Sequence, residues 1–292
     1  MKYIVMTCFL GILLIFGRTA LAYEVDTHEK ISEAATNGSV LKTDSDVLLR
    51  IGLQLPIDND QQRFPNSDGR LRNILNLIKG GARFEDTLSA ARPMNHFYDP
   101  LSSAPLTIAG KAVGSTSPDW ALEDKGQITG TLGFGKQEFS YRDAREYFFK
   151  ALTLPGKTDR EKNFGLTFQT IGMVIHHVQD MAQPQHVRND QHLELLPPTG
   201  PVATGFCKLS PILCGLYFAA QNPSLYEAYT NRTEVRSKLP MDFSLIGYDI
   251  RNSKFTGTFN QPRKFWEFPT GVGLAQFTNA NFVSAGTNFD TN

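Results

Sequence analysis

The chain has 292 residues, of which 41% are hydrophobic and 20% charged, and its 29 basic residues balance its 29 acidic ones. Such a composition suits a globular protein and excludes a disordered or low-complexity one. The balanced charge excludes a net pull toward phosphate polymers, although a local basic patch stays open.

Residues 1–22 read as an export signal. Lys2 supplies a positive start, Ile4 to Phe16 is nearly all apolar, and Thr19 to Ala22 ("TALA") ends in a small-x-small cleavage pattern. The apolar run is shorter than the roughly 20 residues a membrane span needs. Cleavage would leave Tyr23 as the new N-terminus and place the protein in a secreted or periplasmic location; an uncleaved anchor is the alternative. A lipoprotein signal ending at Cys8 is disfavoured, because the apolar run continues past it. Cleavage removes Lys2 and Arg18 and no acid, so the mature formal charge is 27 − 29 = −2.

The remaining patterns are mostly helical. "DTHEKISEAA" offers Asp26 or Thr27 as a helix N-cap. "SDVLLRIGL" and "GRLRNILNLI" space their apolar residues by three and four. "SYRDAREYFFKAL" opens with Ser140 and an acid three residues on, close to a capping box. The clearest helix is predicted from about Asp159 to Met181, with Phe164, Phe168, Ile171, Ile175 and Val178 on one stripe. Pro184 marks its end. A further helix is predicted over Ser224 to Lys238, and "GVGLAQFTNANFVSAG" reads as a last one weakened by glycines. Residues 100–139 and 187–222 read as loops. Strand signals are weak, so residues 23–292 are expected to form a single, mostly α, multi-helix domain.

Two cysteines remain after residue 22, Cys207 and Cys214. An exported chain meets an oxidising compartment, so a disulfide between them is expected; two free buried thiols are the alternative.

The chemistry concentrates in "IHHVQDMAQPQH", Ile175 to His186. His176 and Asp180 are four apart and share a helix face. Gly172, one turn earlier on that face, leaves space for a close neighbour. His186 returns after Pro184. The six histidines are His28, His96, His176, His177, His186 and His192, and four of them fall within residues 176–192. Tyr23, His28, Asp86, His96, His176, Asp180, His186, His192 and Glu227 are the candidate metal ligands, enough for a cluster of ions. Zinc favours such nitrogen and carboxylate donors. His177 points about 100° away from His176 and is expected to pack or hydrogen-bond. Trp120 and Trp266 are expected in the core.

In these segments the chain resembles the zinc-dependent phospholipase C family of secreted bacterial enzymes, whose fold and central signature are shared by the S1/P1-type nucleases. The match lies in "HHVQDMAQPQH", a His-x-x-x-Asp-x-x-x-Pro-x-His pattern, with "NHFYDP" and "GARFED" (Gly81 to Asp86) upstream and "SLYE" (Ser224 to Glu227) downstream. It covers most of residues 23–230. The resemblance implies a mostly α-helical fold with three zinc ions. Tyr23, through its amino group and carbonyl, and His28 would hold one ion. Asp86, His96 and His176 would hold a second, with Asp180 bridging the two, and His186 and Glu227 would hold a third. The family places tryptophan where this chain has Tyr23, and a histidine where this chain has Pro223. His192 or Glu194 would replace that missing third-ion ligand, and Glu85 is a stand-in for Asp86.

The implied reaction is phosphodiester hydrolysis by a zinc-activated water, with Asp86 as the catalytic residue that orients the water or takes its proton. "HFYDP" and the near-neutral charge favour a phospholipid at a membrane surface, of phosphatidylcholine type, with no stable protein partner. Loops 100–139 and 195–222 are the candidates for shaping headgroup preference. The five-residue step from Tyr23 to His28 favours the nucleases, whose many disulfides this chain lacks. A single-strand nuclease and a non-catalytic zinc-binding secreted protein are the alternatives.

Overall fold

A computed structural model describes residues 25–88, 92–108, 110–129, 136–190, 224–238, 261–269 and 273–282. The leader 1–22, Tyr23, His192, Glu194, Pro223 and the Cys207–Cys214 pair lie outside the described residues. The described part is mostly helical, as expected. None of its helices is long and apolar enough to cross a membrane.

The described chain opens on α1 (Val25–Gly38), followed by the short α2 (Val40–Thr43) and α3 (Ser45–Arg50). Asp26 and Thr27, expected as N-caps, already lie inside α1. A small antiparallel ribbon pairs β1 (Phe64–Pro65) with β2 (Leu71–Arg72). It interrupts the helix expected over "GRLRNILNLI". The Asn73 side chain accepts from the Asn76 backbone N–H, so α4 (Ile74–Thr87) starts only there. A 3-10 turn, Arg92–Asn95, leads to a second ribbon, β3 (Thr107–Ile108) with β4 (Lys111–Ala112).

The stretch 100–139, expected as loop, also contains α5 (Ser117–Leu122). Thr116 caps it and Pro118 occupies its first turn, both ordinary helix-start chemistry. α6 (Tyr141–Thr153) starts on the expected capping box, Ser140 with Asp143. α7 (Lys157–Asp180) is the central helix, within two residues of its expected bounds. The helix expected over 224–238 is two pieces, α8 (Leu225–Thr230) and α9 (Thr233–Arg236). A 3-10 turn (Pro262–Phe265) and α10 (Leu274–Asn281) complete the described chain.

One half of the interior is apolar. Leu48, Ile57, Phe64, Ile74, Leu77 and Ile78 pack against Phe164 and Phe168 from the first half of α7. A second cluster joins Tyr98, Leu122, Met181, Val187 and Ala275 around Trp266. Trp120 and Trp266 are both buried, as expected. Arg263 reaches from the 3-10 turn to Asp119 and Asp124 (2.6 Å each) and ties that turn to α5.

The position of α7 depends on glycine. A β-carbon on Gly172 would stand 2.0 Å from the Ile78 carbonyl oxygen, and one on Gly81 would stand 2.0 Å from the Gln169 carbonyl oxygen. The backbones of α4 and α7 therefore touch, which only glycine permits at such a crossing. The space expected beside Gly172 is filled by α4.

Candidate metal centre

The close crossing of α4 and α7 brings their functional side chains together. His176 and Asp180 leave α7 on one face, and Asp86 leaves α4 one turn beyond Gly81. The His176 Nδ1 lies 2.8 Å from the Ala82 carbonyl oxygen, a contact that requires Nδ1–H to donate. Its Nε2 then faces Asp86 Oδ1 at 3.4 Å and Asp180 Oδ2 at 3.3 Å.

His28 is oriented in the same way from α1. Gln179 donates its amide N–H to the Ser32 hydroxyl, which leaves the amide oxygen for His28 Nδ1–H at 2.5 Å. The His28 Nε2 faces Asp180 Oδ1 at 3.4 Å. His186 places Nδ1 3.2 Å from the His96 carbonyl oxygen, and the Tyr98 N–H donates to the His186 carbonyl at 2.9 Å. "HFY" and "PQH" thus lie side by side. Three histidines are pinned by carbonyl oxygens at Nδ1, the arrangement that fixes the tautomer of metal-binding imidazoles.

His96 completes the centre. Its Nδ1 stands 3.1 Å from Asp180 Oδ2, 3.2 Å from His176 Nε2 and 3.5 Å from Asp86 Oδ1. Donors bound to zinc at about 2.0–2.1 Å in a tetrahedron stand about 3.3–3.4 Å apart. The separations around Asp86, His96, His176 and Asp180 have that size. His28, Asp86, His96, His176 and Asp180 are all fully buried.

The electrostatics call for a cation. All four carboxylate oxygens of Asp86 and Asp180 are buried and have no hydrogen-bond donor among the described residues. A buried charge left that way costs roughly several kcal/mol even after relaxation unless something positive compensates it. Protonated imidazoles are one source: burial works against the His176 and His96 cations, but Asp180 outweighs it, with Asp86 adding to the effect at His176, and both pKa values are raised; His28, stacked on His176 with ring centroids 3.8 Å apart, cannot be charged at the same time without repulsion. Burial pushes the Asp86 carboxyl up, and nearby His176 and His96 only partly offset it. Burial also works against the Asp180 carboxylate, but His176, His186 and His96 outweigh it and hold its pKa well below the usual range. Burial and the neighbouring His176 push His28 well down, keeping it neutral. Two overlapping sets here, His28/His176/Asp180 and Asp86/His96/His176, could hold a metal ion, and the one free nitrogen of His176 can serve only one of them.

Of the expected ligands, His28, Asp86, His96, His176 and Asp180 converge in one place. His186 and Glu227 lie at its edge. His186 Nδ1 is 3.9 Å from Asp180 Oδ2, and its Nε2 is 4.0 Å from Glu227 Oε1. Gln183 donates to Glu227 Oε1, and Ser224 caps the helix that carries this glutamate.

Glu85 does not stand in for Asp86. It is turned about 100° from Asp86 around α4, toward Arg92, which grips it at 2.9 and 2.6 Å. His177 is buried as expected, 3.1 Å from Glu85 Oε1. Sequence reasoning missed Gln179, Ser32 and Ala82 as orienting groups. Gln179 lies next to Asp180, but nothing in its spacing points to His28, which is 151 residues away.

No family model matches the chain, and comparisons with curated proteins and with solved structures likewise find no match.

Proposed function

We propose that this chain is a secreted zinc-dependent phosphodiesterase that hydrolyses phospholipids, a phospholipase C. The observation that carries the reading is the buried pair Asp86 and Asp180, whose four oxygens have no hydrogen-bond donor among the described residues, three of them facing imidazole nitrogens at 3.1–3.5 Å. Imidazole with carboxylate suits zinc better than calcium or magnesium, which favour all-oxygen sites.

In this reading Tyr23, His28 and Asp180 would hold one ion, Asp86, His96, His176 and Asp180 a second, and His186 and Glu227, with His192 or Glu194, a third. Bound zinc would supply a water acidified to near neutrality and positive charge for phosphate oxygens. Asp86 would orient that water or accept its proton, since burial raises its proton affinity toward the range of a base working near neutral pH. Asp180 would bridge the first two ions, with Oδ1 toward His28 and Oδ2 toward His96 and His176. Gln179, Ala82 and the His96 carbonyl hold the rings in place, so little reorganisation is needed during turnover. Export through residues 1–22 belongs to the same reading, because only cleavage frees the Tyr23 amine.

Purified mature protein is tested on a chromogenic phosphocholine ester and on single-stranded DNA and RNA, each with and without a chelator. Chelator-sensitive release from the phosphocholine ester is expected. Activity on nucleic acid alone would replace the lipase with a nuclease, and bound zinc without turnover would replace both with a binding protein.

A further inference from the structure

Behind the metal centre lies a second buried polar group that the proposed reaction leaves unused. Glu85 Oε1 receives Arg92 Nε–H at 2.9 Å and Trp120 Nε1–H at 3.3 Å, and Oε2 receives Arg92 Nη2–H at 2.6 Å. His177 Nε2 stands 3.1 Å from the same Oε1, and His96 Nε2 stands 3.6 Å from it, an electrostatic contact just beyond hydrogen-bond length. All of these groups are buried.

Glu85, His96 and His177 have the donor atoms for an ion of their own. Two observations favour another role. Both Glu85 oxygens are engaged by the guanidinium fork, so a unit positive charge is already in place. The tautomer of His177 is also set against metal binding. Trp266 Nε1–H, a donor only, donates to the Ser117 oxygen at 3.1 Å. Glu85 Oε1, an acceptor only, stands 3.1 Å from His177 Nε2 and favours the proton there, and the Ser117 O–H then donates to His177 Nδ1 at 3.3 Å. Neutral His177 therefore carries its proton on Nε2, toward Glu85, where a ligand would need a lone pair.

His96 spans the two groups. Its Nδ1 faces Asp86, Asp180 and His176, and its Nε2 faces Glu85. We propose that Glu85, locked by Arg92, Trp120 and His177, is a positioning residue that holds His96 with its proton on Nε2, so that Nδ1 is the metal-binding atom. The inference rests on the metal centre proposed above. A carboxylate in that place orients the ring and raises the basicity of the ligating nitrogen. Glu85 and Asp86 are neighbours on α4, so one turn of helix supplies both the direct ligand and the support of a second one.

Zinc affinity is measured by competition with a chromophoric chelator, and ion count by elemental analysis, for wild type, Glu85→Gln and Glu85→Gln/Arg92→Gln. Removing one member of a buried ion pair can unfold a protein, whereas replacing both with neutral amides is far milder. Both variants are expected to bind the wild-type number of ions at saturation, with affinity about 10- to 100-fold weaker. A purely structural role would restore affinity in the double variant, and affinity there within twofold of wild type overturns the proposal. One ion fewer at saturation also overturns it, because Glu85 would then be a ligand. Imidazole 15N spectra of zinc-loaded wild type supply a test free of variants: His96 is expected protonated at Nε2, and a proton at Nδ1 overturns the assignment. A wild-type chain that binds no divalent ion is a separate failure, that of the metal centre itself.

Discussion

The two halves of α7 are built on opposite principles. From Phe164 to Phe168 the helix contributes aromatic rings to an apolar core, and burial alone accounts for their place. From His176 to Asp180 the same helix buries two imidazoles, an amide and a carboxylate. Burial there is a cost, which hydrogen bonds cover for Gln179 and for the Nδ1 edges but not for Asp180. The first half holds the helix in place, and the second half uses that fixed position to keep like-charged groups together. A polar cluster of this kind survives only on a scaffold stabilised elsewhere.

The comparison breaks most severely at the glycine crossing that serves both halves. Gly172→Ala puts a β-carbon 2.0 Å from the Ile78 carbonyl, which belongs to rigid helix backbone. A loss of more than about 3 kcal/mol, beyond ordinary overpacking, is expected in urea melts. Next comes Phe168→Ala, which should cost about 3–5 kcal/mol while leaving the number of bound ions unchanged by elemental analysis. Asp180→Asn should do the reverse. Zinc at a hundred times its Kd should stabilise wild type by about 2.7 kcal/mol in thermal melts and leave this variant unmoved. Gly80 lies next to the crossing, yet a β-carbon there would meet no atom within 4 Å. Gly80→Ala should therefore stabilise by roughly 0.5–1 kcal/mol.

The smallest effect lies away from both halves. Burial pushes the Asp119 carboxyl up, but hydrogen bonds from Lys125, Arg263 and Thr116 outweigh it and hold its pKa below the usual range. A lowered carboxylate pKa means that the unfolded chain binds the proton first as pH falls. The contribution is thus complete above the ordinary carboxylate range and is lost below about pH 4. Asp119→Asn should flatten that acid loss in urea melts by about 1 kcal/mol or less, given the partial exposure of the pair.

The sequence carries these two halves unequally. The stripe through Phe164 and Phe168 follows from helical spacing, and the capping box at Ser140 fixes where α6 begins. The stripe overstates its own depth, however: Ile171, Ile175 and Val178 are only half-buried, while the polar face beside them is fully buried. Hydropathy periodicity assigns polar residues to solvent and cannot register a polar interior. His176 and Asp180 escape that error because their four-residue spacing has its own meaning. Gln179 and Glu85 have no such spacing, and their roles arise only when α1, α4 and α7 meet. Gly172 signals a close neighbour, but its reciprocal partner Gly81 is set by tertiary packing. α5 is hidden by a Ser-, Pro- and Thr-rich composition, although Thr116 and Pro118 are themselves helix-start residues.

The most direct measurement is zinc-edge anomalous scattering from crystals of the mature protein grown with zinc. Density peaks are expected between His28 and Asp180 and between Asp86, His96, His176 and Asp180. Their absence, with the Asp86 and Asp180 oxygens instead hydrogen-bonded to ordered water or to protonated imidazoles, would contradict the account.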